Sequence, residues 1–311
     1  MGDILTLLTV FIIMFLFGMT ILRIGLYQLS YHRMKSLLAL FADHPIKGML
    51  TGIVVTGILQ SSSCTMIITV GLVAVGALSF KQSIGIMLGA NIGTTVTLEL
   101  LSLSHNIPIW PMLVLGCILL FFRKPVLFGT GGILFGLGTM FVALHGFSTL
   151  AQPIQQLPII QDMLAFTNLF PSLSIAVGTV LTAIIQSSTA STGIAMSFLN
   201  EGLFTMPSAI GIMLGANIGT CITAWLASLG SNQEAKLVAM AHIWLNVIGV
   251  LIFAPFLEEM AMVSGWLANT PMQQLAHISV LFNVISSIVV LPFLKQFTSF
   301  VLLVHGKKEI R

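Results

Sequence analysis

The chain has 311 residues, of which 57% are hydrophobic and only 7% are charged. A soluble domain carries about 25% charged residues, so 12 Lys and Arg with 9 Asp and Glu cannot cover the surface of a soluble protein of this size. With a mean hydropathy of +1.06, the composition predicts an integral membrane protein. The scattered basic residues exclude a nucleic-acid-binding surface, and three cysteines far apart in apolar runs argue against a disulfide framework or a metal site.

Nine apolar segments follow one another along the chain. All are predicted to be helices, because strands of a membrane β-barrel would alternate in hydrophobicity over about ten residues. The first lacks the basic start of a signal peptide and is read as a retained span. Two others carry Gln-Ser-Ser at their middle, which fits either a spanning helix with a polar centre or a re-entrant hairpin. In chain order the segments cover residues 4–26, 46–78, 82–103, 108–122, 126–149, 172–200, 206–229, 237–256 and 276–303.

The distribution of charge decides between these two readings. If both polar-centred segments are hairpins and the N-terminus is outside, every Lys and Arg falls on or near the cytoplasmic side. If the segments crossed the membrane, Lys81, Arg123 and Lys124 would lie outside. The predicted fold class is therefore an all-α polytopic membrane protein with about seven crossings plus two re-entrant hairpins, N-terminus out and C-terminus in. The basic residues are Arg23, Arg33, Lys35, Lys47, Lys81, Arg123, Lys124, Lys236, Lys295, Lys307, Lys308 and Arg311.

An internal repeat runs through the chain. Residues 45–97 align with 171–223 at a constant offset of 126, and 22 of the 53 positions are identical. Because a single crossing, 108–122, separates two units with an even number of crossings, the second unit is predicted to be inverted. Inverted repeats with broken, polar-tipped segments indicate a secondary transporter. The predicted parts are repeat unit 1 (1–104), a linking helix (105–125), inverted repeat unit 2 (126–230) and two C-terminal transmembrane helices (231–311).

The two hairpin tips are the first group of candidate site residues. Their serines are expected to cap the second arm of each hairpin, so that the N–H groups and positive dipole end of that arm face the site and bind an anion without any Lys or Arg. The Gln carbonyl groups are expected to replace water around a small cation. The alternative is that these hydroxyls only bond back within their helices. The candidates are Gln60, Ser61, Ser62, Ser63, Thr65, Gln186, Ser187, Ser188, Thr189 and Ser191.

The repeated GANIGT sequence supplies the second group. Its glycines are expected to loosen the helix and free backbone groups, which membranes tolerate only beside a cavity or inside protein. The alternative is close packing of helices through small residues. The candidate ligands or bracing residues are Asn91, Thr94, Thr95, Asn217 and Thr220. For Glu99, His242 and His277, a functional role and simple interfacial or core hydrogen bonding both stay open.

The paired QSSS and GANIGT motifs resemble the type II sodium/phosphate cotransporter family. The stretch from FLFGM (15–19) through HPIKGMLTGIVVTGILQSSS to GANIGTTVT is similar to its bacterial branch, as is GANIGTCITAWLASLGSNQEAKLVAMAHIWLNVIGVLIF in the second half. The resemblance implies sodium-coupled symport of inorganic phosphate by alternating access across the bacterial inner membrane. Phosphate and sodium would be held between the QSSS residues and their mates, with Thr189 replacing a serine. Many bacterial relatives carry a cytosolic regulatory domain after the membrane part; because this chain stops at Arg311, that control is expected to be absent or to be supplied by a separate cytosolic regulator.

Physical chemistry agrees with this reading, because sodium bound beside a phosphate offsets the cost of bringing the anion to the middle of the membrane. No catalytic residue and no cofactor other than sodium as coupling ion is expected. A homodimer stays open. The alternatives are a phosphate exporter, or a sodium-coupled carrier of another oxyanion or a dicarboxylate. A membrane enzyme or an assembly protein is less consistent with two copies of a polar hairpin tip.

Overall fold

The structure is a computed structural model that describes residues 2–38, 44–104 and 107–306. Within these ranges the chain is helical and contains no β-strand, which confirms the predicted all-α class. The α-helices are α1 (Gly2–Leu38), α2 (Pro45–Leu59), α3 (Ser62–Ala74), α4 (Phe80–Ser102), α5 (Ile109–Leu120), α6 (Pro125–Gln155), α7 (Pro158–Leu169), α8 (Pro171–Ile185), α9 (Ser188–Asn200), α10 (Met206–Gly219), α11 (Cys221–Ser228), α12 (Gln233–Phe253), α13 (Leu257–Leu267), α14 (Pro271–Val290) and α15 (Leu294–His305).

Six helical stretches of the described chain are long and apolar enough to cross a bilayer. They confirm a polytopic membrane protein. The seventh predicted crossing, 108–122, corresponds to α5, which has 12 residues. At 1.5 Å per residue α5 is about 18 Å long, shorter than the ~30 Å hydrocarbon core. The six stretches are Gly2–Ser30, Phe80–Ser102, Pro125–Gln155, Met206–Ser228, Gln233–Leu267 and Pro271–His305.

The first polar-centred segment folds as a hairpin, as predicted. Helix α2 runs parallel to α4, because Gly48 lies beside Gly85 and, further along both helices, Thr56 lies beside Gly93. Helix α3 begins at the far end of α2 and must reach the start of α4 through the short connection 75–79. Therefore α3 is antiparallel to both, and the tip between α2 and α3 lies inside the helix bundle.

The second hairpin repeats these contacts at the offset of 126 residues. A Cβ atom built on Gly85 would lie 2.7 Å from the carbonyl oxygen of Pro45, and one built on Gly211 would lie 2.7 Å from that of Pro171. Helix α8 is thus parallel to α10 and packs directly on it, and α9 runs antiparallel to both. The repeat seen in the sequence is a repeat of tertiary contacts.

The two hairpins enter the bundle from opposite ends. At the start of α3, the Ser63 hydroxyl lies 3.2 Å from that of Thr220, which precedes α11. Past the end of α11, the side chain of Asn232 donates a 2.8 Å hydrogen bond to the carbonyl of Ala74, at the end of α3. Helices α3 and α11 therefore run in the same direction, and α10 and α11 are antiparallel to α4. This is the inverted arrangement predicted; the four-part division of the chain stays a prediction.

Basic side chains gather at one end of the bundle, the end where α2, α4, α6 and α12 begin. Lys81, Arg123 and Lys236 lie there, and we call it the basic end. Glu201 and Glu258 lie at the opposite end. This agrees with the predicted charge distribution, while the orientation in the membrane stays a prediction. The side chains of Arg33 and Lys35, together with Lys307, Lys308 and Arg311, lie outside the described residues.

The expected loosening of the GANIGT helices is wrong for the first repeat. Helix α4 is continuous across Gly89 and Gly93. In the second repeat α10 ends at Gly219, but Thr220 keeps helical dihedral angles, with φ −65° and ψ −21°. The glycines instead allow backbones to touch, since a Cβ atom on Gly89 would overlap the carbonyl oxygen of Met49. Small-residue helix packing is therefore the role that the structure supports.

Three features of the fold lie outside the sequence predictions. Helices α7 and α13 form in stretches that were not read as apolar segments. The segment 276–303 is not one helix, because a 3-10 turn that contains Pro292 separates α14 from α15. The side chain of Trp244 donates a 2.9 Å hydrogen bond to His305, which holds the end of α15 against α12.

Candidate functional site at the hairpin tips

The two hairpin tips meet at one polar cavity of about 340 Å³. Nine of the predicted site residues line it, four from the first tip, four from the second and one from α4. The cavity lining consists of Leu16, Met19, Arg23, Gln60, Ser61, Ser62, Ser63, Cys64, Ile67, Thr94, Gln186, Ser187, Ser188, Thr189 and Thr223. The sequence motifs that are 126 residues apart therefore face one another across a single space.

Each tip has the same local geometry, in which one helix ends and another begins within two residues. Gln60 and Gln186 end the first arms in the left-handed region, with φ 49° and 57°, a conformation that non-glycine residues seldom adopt. Ser61 and Ser187 are extended and cap the second arms by accepting from the backbone N–H of the third residue on, at 3.1 and 3.2 Å. This is the capping geometry that the sequence predicts.

The capped arms direct hydrogen-bond donors at the cavity. In a helix the first N–H groups have no partner within the helix. Those of Ser62 and Ser63 in α3, and of Ser188 and Thr189 in α9, belong to this class, and the positive dipole ends of both helices lie at the cavity. Opposed helix N-termini form a site suited to an anion.

The two glutamine side chains differ, which the sequence did not predict. Gln60 is 3% exposed, and its amide oxygen accepts a hydrogen bond from the Thr97 hydroxyl. This oxygen is therefore already bonded to a protein donor in the described state, and its role as a cation ligand stays a prediction. Gln186 is exposed and forms no side-chain hydrogen bond with any described residue. Thr223 is the repeat equivalent of Thr97 and lines the cavity. Its hydroxyl donates to the carbonyl of Thr220 and not to Gln186.

The hairpins also differ in the hydrogen bonds between their two arms. In the first hairpin Thr56 donates a 2.9 Å hydrogen bond to Thr65, which ties the two arms together. In the second, the buried hydroxyl of Thr182 has no partner among the described residues. An apolar cavity of about 220 Å³ lies beside α8 and α9, lined in part by Leu181 and Ile194. The first hairpin therefore has a hydroxyl bond between its arms that the second hairpin lacks.

Six of the predicted site residues do not line the polar cavity. Their side chains bond either within their own helix or to a neighbouring element. Thr65 and Ser191 donate to the carbonyl groups of Ser61 and Ser187, and Thr95 donates to that of Ile92. Asn91 donates to Asn246 of α12 at 3.1 Å, Asn217 donates to the carbonyl of Met213 at 2.9 Å, and Thr220 pairs with Ser63.

Arg23 is a cavity-lining residue that the sequence predictions missed. Its side chain is part of the cavity lining, and its Nε donates a 2.8 Å hydrogen bond to the carbonyl of Leu59 at the end of α2. A basic residue therefore lies beside the tips, where the sequence analysis expected none, while the anion site itself stays a prediction. The sequence does show a basic residue at the end of the apolar run 4–26. Its depth in the bundle could not be predicted, because that depth depends on the continuation of α1 to Leu38.

The other ionisable residues of the spans lie away from this cavity. The side chains of Glu99 in α4 and His277 in α14 are joined by a 2.8 Å hydrogen bond, with about a third of each side chain exposed. His242 is fully buried in α12, and its ring nitrogens have no partner among the described residues. In the part of the chain that the structure describes, no cluster of three His, Cys, Asp or Glu residues is present to hold a metal.

The fold and the cavity define the class: a multi-pass membrane protein in which opposed, inverted hairpins enclose a polar site, an arrangement typical of secondary transporters. Comparison with known proteins identifies the family. Residues 14–149 and 157–300 match the family model described as Na+/Pi-cotransporter. The chain therefore belongs to the Na+/Pi-cotransporter family, which confirms the resemblance that its motifs indicated.

Individual relatives agree with the family match. The chain is 42% identical over 289 residues to "Uncharacterized protein YqeW" of Bacillus subtilis, covering 93% of this chain and 94% of that protein. It is 26% identical over 287 residues to "Putative inorganic phosphate export protein YjbB" of Escherichia coli, covering 91% of this chain but only about half, 52%, of that protein. It is 36% identical over 91 residues to human "Sodium-dependent phosphate transport protein 2B", covering 27% of this chain and 13% of that protein. No solved structure matches the chain.

Proposed function

We propose that this protein is a secondary active transporter that moves inorganic phosphate together with sodium, and that both are held between the two hairpin tips. One observation carries the proposal: two copies of one polar motif, placed by an inverted repeat, line the same cavity from opposite sides. Family membership supports phosphate and sodium as the transported species.

The tips offer the chemistry that a phosphate needs. Phosphate presents acceptor oxygens on every side, so it binds best where donors converge from several directions. The N-terminal N–H groups of α3 and α9 and the hydroxyls of Ser62, Ser188 and Thr189 supply such donors from both halves of the cavity. A single anion in this space can contact both repeats.

Sodium would bind at the opposite kind of helix end. The carboxyl-terminal carbonyls of α2 and α8 lie at the same tips as the N-termini, and such carbonyls coordinate sodium in other transporters with broken helices. Thr94, Thr223 and the Gln186 amide oxygen can add ligands. Because an uncompensated anion in the membrane interior is costly, phosphate and sodium stabilise each other, and this physical dependence couples their movement.

The asymmetry between the hairpins supports alternating access. The described state has the Gln60–Thr97 bond, while its counterpart, Gln186–Thr223, is absent. Since the repeat makes the two pairs equivalent in sequence, an exchange in which the first bond breaks and the second forms produces the mirror state. In that state the cavity would open toward the other end of the bundle, in the rocking manner that inverted repeats permit.

An exporter is the second candidate, because the relative from Escherichia coli that matches 91% of this chain bears a phosphate-export name. The same site serves both directions, and the gradients decide between them. A bacterial inner-membrane location, a homodimer and a separate cytosolic regulator also stay predictions.

The test is uptake of radiolabelled phosphate by proteoliposomes of the purified protein, with and without an inward sodium gradient. Ser62→Ala and Ser188→Ala should each raise the half-saturating phosphate concentration roughly two- to tenfold, the effect of one lost hydrogen bond. Ser102→Ala is the matched control, since Ser102 is buried in α4 and donates only to the carbonyl of Glu99. Uptake that is indifferent to sodium, or equal in all three variants, would contradict the proposal.

A further inference from the structure

We propose that Arg23 is the charged ligand of the anion in the cavity and determines the preference for the phosphate dianion. This inference rests on the proposed phosphate function and adds a specificity-determining residue outside both repeated motifs. It is the only Lys or Arg among the cavity-lining residues of the described chain.

The position of Arg23 places its charge at the depth of the tips. Arg23 lies 15 residues before the end of α1 at Leu38, which corresponds to about 22 Å along the helix. It contacts Leu59, the last residue of α2. It therefore lies within the long apolar stretch Gly2–Ser30, level with the tip and not at the basic end.

The hydrogen bond to Leu59 fixes the orientation of the guanidinium. An arginine has five N–H donors in a planar fork, and Nε uses one of them on this carbonyl. The remaining four belong to the two terminal nitrogens of a side chain that lines the cavity. A fork with these donors free matches two oxygens of a tetrahedral oxyanion.

Arg23 has no carboxylate partner in the part of the chain that the structure describes, where the Glu99–His277 bond is the contact between an acidic and a basic side chain. A cation at membrane depth without a counter-charge is costly. A transported anion supplies the missing charge, and a dianion supplies more of it than a monoanion.

Arg23 also makes the two tips electrically different. The carboxyl-terminal end of a helix carries a partial negative charge, which opposes a nearby anion. Arg23 covers this end at α2, whereas no Lys or Arg of the cavity lining covers the corresponding end of α8 beside Gln186. The uncovered end of α8 is thus the end left for sodium, and the covered end of α2 favours phosphate.

The experiment compares Arg23→Gln, Arg23→Lys and the control Arg123→Gln. Arg123 lies in the exposed turn between α5 and α6, outside the cavity, so its substitution removes the same charge elsewhere. We expect Arg23→Gln to raise the half-saturating phosphate concentration about tenfold to a hundredfold, as for a lost charge-assisted bond. The loss should be larger at alkaline pH, where the dianion predominates, and Arg23→Lys should recover part of the affinity. Arg123→Gln should resemble wild type.

A purely structural role for Arg23, as a cap of α2, has a different signature. It would lower the thermal stability and the maximal rate in Arg23→Gln, with an unchanged half-saturating phosphate concentration at both pH values, and this result would overturn the assignment. Wild-type uptake with unaltered Arg23→Gln kinetics would overturn it as well. A wild-type protein that neither binds nor moves phosphate would instead overturn the proposed function, and the assignment of Arg23 with it.

Discussion

Thr97→Val tests whether the buried bond from Thr97 to Gln60 holds the cavity in the described state. The substitution keeps the side-chain shape but leaves the amide oxygen of a residue that is 3% exposed without its donor. An unsatisfied buried polar group costs about 1–3 kcal/mol, which is a 5- to 150-fold change in the balance between two states. Thr97→Val should therefore favour the mirror state.

Thr223→Val is the matched control, because the repeat makes Thr223 the equivalent of Thr97. Here its hydroxyl donates only to the carbonyl of Thr220 within its own segment. Thr223→Val therefore destabilises the described state only slightly, while it destabilises a state with the Gln186–Thr223 bond by the full cost of an unsatisfied buried polar group. The two variants should shift the balance in opposite directions.

The balance can be measured through Cys64, which lines the cavity. With Cys117 and Cys221 replaced by alanine, a membrane-impermeant thiol reagent is applied to proteoliposomes from either side, and the two labelling rates are compared. The ratio of the rates should move one way in Thr97→Val and the other way in Thr223→Val. Ratios that stay at the wild-type value, or that move in the same direction, would refute the reasoning.

Three further predictions concern packing, sodium and the outlying residue Glu99. Gly89→Ala should lower the melting temperature in detergent markedly, because its Cβ would overlap the carbonyl of Met49, whereas Gly71→Ala, with open space around it, should not. Gln186→Ala should raise the half-saturating sodium concentration of uptake without a loss of thermal stability. Gln60→Ala should shift the sodium dependence and also lower the thermal stability, because of the two glutamine side chains only that of Gln60 is hydrogen-bonded to a described residue. Glu99→Gln should change the stability by less than about 1 kcal/mol, and normal phosphate uptake in this variant would agree with its distance from the cavity.

The hairpins and their inversion could be predicted because each leaves a trace in the sequence. A polar Gln-Ser-Ser in an apolar run marks the break, the distribution of Lys81, Arg123 and Lys124 excludes a crossing, and the offset of 126 residues links the two copies. The serine caps follow from residue type alone. These features depend on the local sequence and on the lipid environment, both of which can be read without the tertiary structure.

The difference between the two glutamine–threonine pairs could not be predicted, because the residue types in the two pairs are the same. Thr97 and Thr223 occupy equivalent positions, yet one bonds to its glutamine and the other to its own helix. Which of two equivalent bonds is formed is a property of the conformational state. The glycines of GANIGT likewise permit either a loosened helix or close packing, and the parallel approach of α2 to α4 decides for packing.

Arg23 escaped the sequence reading for a related reason. It lies near the end of the first apolar run, 4–26, where a basic residue usually marks the end of a span. Arg23 lies beside the hairpin tip because α1 continues to Leu38, and because α2 runs back into the bundle until its last residue, Leu59, reaches the depth of Arg23. Tertiary structure, and not composition, determines its depth.

Equilibrium binding of phosphate to the purified protein in saturating sodium tests the central claim most directly, with Ser62→Ala, Ser188→Ala and the double variant compared in one thermodynamic cycle. If one anion bridges the two tips, each single substitution weakens binding, and the double variant deviates from the sum of the two effects. Binding that depends on the serine of only one hairpin, or on neither, would contradict a shared site between the tips.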